Sequence, residues 1–183
     1  MHNEEILGIN RELDSADPSV LLMAMDRLES ALRHKSEDAS SLRPLARLLH
    51  HENAEVRKKA IWLVGKLAQN KVQGEYPVSS VLGLMEDEDE ESRENAAWAV
   101  GEMAALKIGS EQEAEKLNSL LKDEFSQVRG MAAWALGRLA ERDSVALRSS
   151  ESLLRQLLQD KSVYVSKSAS WALERLEPLL TKS

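Results

Sequence analysis

The most distinctive side chains in this sequence are four tryptophans that could bind a partner by stacking. Trp62, Trp98, Trp134 and Trp171 recur at intervals of 36, 36 and 37 residues, in a chain that otherwise contains two Tyr and one Phe. Lysine or arginine stands close to several of them in the sequence. Interleaved Trp and Lys or Arg resembles a stacking platform, and Trp is among the residues most enriched at binding hot spots. The pattern therefore indicates non-covalent recognition.

No catalytic or metal-binding motif accompanies the tryptophans. The sequence has no glycine-rich phosphate loop, no His-Glu-x-x-His and no nucleophile with a base nearby. Beyond His2 the histidines are His34, His50 and His51, and the adjacent pair has no further metal ligand in register. The absence of cysteine excludes disulfides and thiolate metal sites. We therefore predict a protein that is not an enzyme and that has no cofactor or metal.

The elements that would position the tryptophans are pairs of short helices repeated along the chain. The segments around the four indoles align as KKAIWLVGKLA, ENAAWAVGEMA, GMAAWALGRLA and KSASWALERLE. A second apolar block precedes each of them, and both blocks have the spacing of an amphipathic helix. The glycine column should permit close approach of adjacent helices. A fixed period in this range is typical of a solenoid of two-helix units, which we call helix A and helix B.

A fifth unit is predicted at the N-terminus. The apolar residues from Val20 to Ala31 lie 36 residues before their counterparts in the next unit, and Asp17-Pro18 predicts the start of a helix. Asp26 replaces the tryptophan and Glu29 the glycine, as is common for a terminal repeat. We therefore predict one continuous domain over residues 1–183. Its repeats are expected at about 3–34, 39–70, 75–107, 111–142 and 149–181.

The string Val128–Gly137, VRGMAAWALG, follows an acidic turn and resembles the HEAT-like repeat of the bilin-lyase (PBS-lyase) type. The resemblance covers nearly the whole chain and implies an all-α, right-handed α-α superhelix whose B helices line the concave side. Such repeats serve mostly as binding scaffolds. One enzyme class built on them, deoxyhypusine hydroxylase, has His-Glu pairs where this chain has Lys58-Lys59 and Glu94-Asn95. That activity is not expected, and bilin lyase activity stays open without a residue to support it.

Two further columns predict how the repeats are joined. An aspartate in the A–B turn and an arginine early in helix B recur, except that His51 replaces the first aspartate and Ser166 the last arginine. Leu21 stands at the arginine position of the first unit. These exceptions are explained if each arginine pairs with the aspartate of the next repeat, because Leu21 and His51 would then face each other and position 166 would have no following repeat. The predicted structural ladder is Arg57–Asp87, Arg93–Asp123 and Arg129–Asp160.

The direction of the indoles decides whether they belong to the core. At about 100° per residue, Trp62 lies about 150° from the centre of the apolar stripe of its helix, beside Lys58, Lys59 and Lys66. A regularly spaced aromatic residue is more often part of a core, but the helical wheel predicts a largely exposed indole ladder that stacks partly on neighbouring repeats. The predicted partner-binding residues are Trp62, Trp98, Trp134, Trp171, Lys58, Lys59, Asn95, Met131, Arg138 and Arg175.

The groove positions appear basic on an acidic protein. The chain has 31 Asp and Glu against 24 Lys and Arg, a net charge of −7, whereas the groove columns count six basic and two acidic residues. The acidic run Glu86–Glu91 is most simply a solvated turn that stabilises the start of the next helix.

Two functions fit this pattern. The preferred one is a scaffold that binds a protein or peptide segment, with apolar groups against the indoles and acidic groups on the cations. The alternative is nucleic-acid binding by the same Trp, Lys and Arg side chains, against which the sequence pI of about 5.2 weighs. The sequence has no run of roughly 18 apolar residues and no secretory signal. We expect a cytoplasmic monomer.

Overall fold

The computed structural model describes residues 2–33, 38–142 and 147–181, and every regular element in these ranges is an α-helix. The helices are α1 (His2–Glu12), α2 (Pro18–Leu32), α3 (Leu42–Leu48), α4 (Ala54–Gln69), α5 (Val78–Leu84), α6 (Glu90–Ala104), α7 (Glu111–Leu120), α8 (Ser126–Ala140), α9 (Arg148–Leu157) and α10 (Val163–Leu180). Odd numbers are the A helices and even numbers the B helices. The predicted α-α superhelix of two-helix repeats is confirmed, while its treatment as a single domain stays a prediction.

The B helices form one continuous layer. Each of α2, α4, α6 and α8 packs on the B helix of the next repeat, and each A helix packs on the B helix of its own repeat. Among the A helices of the described ranges, only α7 and α9 make extended contact with each other. Contacts between consecutive repeats are therefore made mainly by the B layer. We call the exposed side of this layer the inner face.

Side-chain caps fix where three of the B helices begin, namely α2, α4 and α6. Asp17 accepts a hydrogen bond from the Ser19 amide at 2.8 Å, and Pro18 occupies the first turn, as the sequence predicts. Asn53 and Asp89 cap α4 and α6 in the same way. A side-chain acceptor at this position satisfies an amide that the helix itself leaves unpaired. The start of each helix fixes which of its residues face the core.

The apolar columns form the core between the two layers. In α4 the stripe of Val56, Ala60, Val64 and Leu67 is fully buried, as the helical wheel predicts. The equivalent columns of α6, α8 and α10 are also buried, as are Ile6 and Ile9 of α1 and Leu13, which follows that helix. Burial of apolar surface contributes about 25 cal/mol per Å² and holds the two layers together.

A ladder of ion pairs joins consecutive turns. Each arginine presents Nε and Nη2 to both carboxylate oxygens of an aspartate in the following repeat, in the direction that the sequence predicts. The Nε–Oδ2 distances are 2.7 Å for Arg57–Asp87, 2.8 Å for Arg93–Asp123 and 2.9 Å for Arg129–Asp160. Such bidentate ion pairs constrain the relative orientation of the two side chains in addition to pairing their charges. The ladder therefore sets the register between repeats.

Each arginine of the ladder also holds the turn of its own repeat. Arg93 Nη1 donates to the backbone carbonyls of Asp87 and Glu88 at 2.8 and 3.2 Å, and Asp123 accepts a hydrogen bond from the Phe125 amide at 3.0 Å. In the turn before α4, His51 replaces the aspartate, and its Nδ1 atom accepts a hydrogen bond from the Asn53 amide at 3.0 Å. One guanidinium thus ties together the turns of two repeats.

Two of the ladder pairs lower the pKa of their aspartates. Burial alone would raise the pKa of Asp87, but the hydrogen bonds and charge of Arg57 outweigh it, so this pKa lies below its ordinary value. The hydrogen bond from Arg129 likewise lowers the pKa of Asp160. Both carboxylates are therefore held in the charged form.

Candidate partner-binding groove

Three of the tryptophans lie against a glycine of the preceding repeat. A Cβ atom added to that glycine would lie only 2.2 to 2.3 Å from the indole Cζ3, much closer than real Cβ atoms approach other atoms. The pairs are Gly65–Trp98, Gly101–Trp134 and Gly137–Trp171. The glycine column thus provides the space in which the indole of the next repeat sits. Glu174, at the same column of α10, is exposed.

All four indoles are half-buried, so the prediction of a largely exposed ladder is wrong. A helical wheel describes one helix at a time. It therefore does not include the burial of each indole by the B helix of a neighbouring repeat. Stacking between repeats does occur, because the ring centroids of Trp62 and Trp98 are 6.3 Å apart with an interplanar angle of 29°. The indoles are therefore shared between the inner face and the contacts between repeats.

Trp62 differs from the other three because no glycine precedes it. Glu29 stands at the glycine column of the first repeat, and both side chains line a cavity of about 460 Å³. The other lining residues are Leu22, Asp26, Glu55, Lys58, Lys59, Glu91 and Asn95. Of the predicted binding residues, Trp62, Lys58, Lys59 and Asn95 therefore meet in one place.

A second cavity adjoins the first, since Trp62, Glu91 and Asn95 line both. It has a volume of about 590 Å³ and is completed by Glu90, Glu94, Phe125 and Gln127. We call the combined lining of the two cavities the Trp62 groove. It runs across α2, α4, α6 and the start of α8 on the inner face.

The charge of the Trp62 groove is negative, and the expectation of a basic face is wrong here. Six carboxylates and two lysines line the two cavities. Lys58 pairs with Glu55 at 2.8 Å and with Glu91 at 3.3 Å, and Lys59 pairs with Asp26 at 3.0 Å and with Glu29. The count from sequence omitted these acids because they lie one helical turn away or in the first repeat.

The cations at the other end of the inner face are also paired. Arg138 and Arg175 both contact Glu141, at 2.7 and 3.0 Å, and their guanidinium groups lie over the indoles of their own helices. Arg138 also lines a separate cavity of about 480 Å³, between α6 and α8, together with Lys107. The structure therefore does not bring Arg138 and Arg175 into the Trp62 groove.

Glu94 is the least compensated carboxylate of the groove. It is half-buried, and its side chain has no hydrogen-bond or ion-pair partner in the part of the chain that the structure describes. Burial raises the pKa of Glu94, and the charge of Glu91 adds to the effect. On α10, the ring of Tyr164 lies against Gly130. Burial raises the pKa of Tyr164, and the negative charge of Glu94 adds to the effect. Partial burial of an unpaired carboxylate costs solvation free energy, which an ion pair or hydrogen bond from a ligand would offset.

The polar side chain of Asn95 is similarly free. It lines both cavities and makes no hydrogen bond within the described residues. An amide side chain both donates and accepts, so it can pair with the backbone of an extended segment. Met131, the next residue in the same column, is half-buried and packs against the core.

Several groove residues escaped prediction from sequence. Phe125 is 38% exposed at the start of α8, with the Arg93 guanidinium 5.7 Å from its ring centre. The sequence shows Asp26 and Glu29 only as departures of a terminal repeat from the Trp and Gly columns. A usable signal was the offset of 30 residues between Glu29 and Lys59, which equals the offset of Arg57–Asp87 and of Arg93–Asp123.

Residues 2–33, 38–142 and 147–181 contain no group of three or more His, Asp or Glu side chains that could hold a metal ion. In these ranges His50 contacts Ser80 at 2.8 Å, while His34 lies outside the described residues. None of the helices described is both long and apolar enough to cross a membrane.

Comparisons with known proteins identify the repeat. A profile of the HEAT-like repeat matches residues 90–139 and 126–176, and a profile of the HEAT repeat matches residues 42–71. None of the curated proteins compared with the chain matches it.

Solved structures with similar folds include natural and designed solenoids. A designed armadillo repeat protein in complex with the peptide (KR)4 is 25% identical, with a TM-score of 0.73, and the match covers 97% of this chain and 91% of that one. Armadillo repeat proteins computationally designed for modular peptide recognition are 23% identical over 91% and 80% of the two chains, with a TM-score of 0.70. The complex of CpcE and CpcF of phycocyanin lyase from Nostoc sp. PCC7120 is 19% identical over 94% and 65%, with a TM-score of 0.72. The last two likenesses concern the fold alone.

Proposed function

This chain belongs to the HEAT-like repeat family, and we propose that it is a non-enzymatic scaffold that binds a protein or peptide segment along its inner face. The Trp62 groove is the main contact. The observation that carries the proposal is the junction of two cavities at Trp62 and Asn95. A half-buried aromatic side chain and a free amide side chain, both on rigid helices, can hold an extended segment by its side chains and its backbone.

The remaining predicted contacts extend this groove along the inner face. Trp98 stacks on Trp62 and continues the aromatic surface, followed by Met131 and Trp134 on the next helix. Arg138, Trp171 and Arg175 lie outside the Trp62 groove and would contact the far end of the segment. A segment that spans two or more repeats would bury enough surface to bind specifically, with the groove as its anchor.

The likeness to a designed protein in complex with a peptide supports a peptide ligand rather than a small molecule. The likeness to a phycocyanin lyase complex, at 19% identity, concerns the fold and gives no support for catalysis. The expected cytoplasmic location and monomeric state stay predictions from the sequence.

Nucleic-acid binding is the less favoured function. Phosphate contacts need cations that are free to release counterions, whereas Lys58, Lys59, Arg138 and Arg175 are engaged with carboxylates of the chain. The six carboxylates of the Trp62 groove would also repel a phosphate backbone. The geometry therefore favours a protein partner.

The test is affinity capture from the source cells with three forms of the protein, each with and without nuclease. The wild type should retain a protein partner after nuclease treatment. The double variant Trp62→Ala/Asn95→Ala should lose it, and Gln112→Ala, an exposed change on α7, should not. Retention by the double variant, or loss after nuclease, would contradict the proposal.

A further inference from the structure

The Trp62 groove combines aromatic faces with carboxylates, and cations of the chain already lie near two of its aromatic rings. Lys59 and Lys66 lie 5.4 and 5.6 Å from the ring centre of Trp62. Arg93 lies 5.7 Å from that of Phe125. These distances are within the range of cation–π attraction, so both rings already contact a positive charge.

The larger of the two cavities has carboxylates but no base. Its lining contains Glu90, Glu91 and Glu94 together with Trp62, Asn95, Phe125 and Gln127. Glu90 and Glu91 lie in the first turn of α6, where negative charge stabilises the end of the helix. Glu94 lies beyond that turn, so the helix dipole does not account for it. The lysines nearby do not compensate it either, since Lys58 is paired with Glu55 and Glu91.

We propose that the occupant of the Trp62 groove is an extended, cationic segment of a partner protein, and that one of its lysine or arginine side chains binds Glu94. The aliphatic stem of that side chain would lie against Trp62 or Phe125, and the Asn95 amide would pair with the adjacent backbone. This inference rests on the proposed function and specifies the chemistry of the partner. It replaces the acidic partner expected from the sequence.

Charge complementarity selects this occupant over the alternatives. An acidic segment would meet six carboxylates, and the two lysines that line the same cavities are already paired. A purely apolar segment would leave Glu94 buried more deeply and still unpaired, which is costly. A cation from the partner instead gives Glu94 the charge-assisted hydrogen bond that the chain itself does not provide.

The test uses three fluorescein-labelled octapeptides of matched length: alternating Lys and Arg, alternating Asp and Glu, and alternating Gly and Ser. Binding to the full chain is measured by fluorescence anisotropy at ~0.15 M salt, where long-range surface charge is screened. We expect the Lys-Arg peptide alone to bind. Glu94→Gln should weaken its binding at least about tenfold, the effect of one lost charge-assisted hydrogen bond.

Glu115→Gln is the matched control, because it removes the same charge from an exposed position on α7. Its affinity for the Lys-Arg peptide should stay within about twofold of the wild type, as expected for a screened distant charge. Equal losses in the two variants would mean attraction to net charge only and would overturn the assignment to Glu94. Thermal melting of both variants shows that each is folded.

Failure of this inference can be told apart from failure of the proposed function. If the acidic or neutral peptide binds and Trp62→Ala abolishes that binding, the groove is a docking site but its partner is not cationic. If the Lys-Arg peptide does not bind, the charge assignment is overturned, whatever the other peptides do. The capture experiment with the double variant then decides the proposed function independently.

Discussion

The indole of Trp134 occupies the space that a side chain at Gly101 would need. A Cβ atom added to Gly101 would lie 2.2 Å from Trp134 Cζ3, although the two residues belong to different repeats. The indole can therefore occupy this position only because residue 101 has no side chain. The same relationship joins Gly65 to Trp98 and Gly137 to Trp171.

Gly101→Ala should destabilise the protein, although alanine favours helices. A methyl group would displace the indole, and overpacking of this kind costs about 1–3 kcal/mol. Gly83→Ala is the control, because Gly83 is exposed in α5 and nothing lies within 4 Å of an added Cβ. It should gain up to about 1 kcal/mol. Urea denaturation of both variants measures the difference, and equal changes would refute the role of the glycine.

Trp134→Ala should cost more stability than Trp62→Ala. Truncation of a buried Trp typically costs ~3–5 kcal/mol, and a half-buried indole against glycine should cost roughly half of that. Trp62 has no glycine to sit against, so its loss should affect partner binding more than folding. Thermal melting and denaturant titration compare the two variants. A larger loss of stability in Trp62→Ala would show that Trp62 is mainly structural.

The ladder predicts which residues are energetically coupled. In a double-mutant cycle, Asp123→Ala and Arg93→Ala should show a coupling free energy of about 1 kcal/mol, since their ion pair is bidentate and its side chains are largely buried. Asp123→Ala and Arg129→Ala should be close to additive, because Arg129 contacts only the backbone carbonyl of Asp123. Stronger coupling to Arg129 would show that the ladder joins residues within repeats.

Glu94 should make the stability depend on pH. Its pKa is raised in the folded protein by burial and by Glu91. A raised pKa means that the stability present below the ordinary pKa of Glu is lost as the pH rises through the folded value. Glu94→Gln should therefore be more stable than the wild type at pH 7, and the difference should fade towards pH 4. A difference that grows as the pH falls would contradict this environment.

The repeats, their two helices and the ladder were predictable because they depend on local periodicity and on a fixed offset along the chain. The indoles were harder, because the wheel of α4 places Trp62 on the exposed side, whereas burial comes from a helix about 36 residues away. The prediction of a basic groove was wrong for a similar reason. Glu29 and Glu91 belong to different repeats from Lys59 and Lys58, and only the packing of B helices brings them together.

The central claim is that a partner binds at the Trp62 end of the inner face. The most direct measurement is fluorine NMR of the full chain labelled with 5-fluorotryptophan, which gives one resonance for each of the four indoles. Trp62→Phe assigns the first, and the captured partner segment is then titrated in. The account predicts that the Trp62 resonance shifts most, the stacked Trp98 less and Trp171 least. A largest shift at Trp171, or four unchanged resonances in the presence of a binding partner, would contradict it.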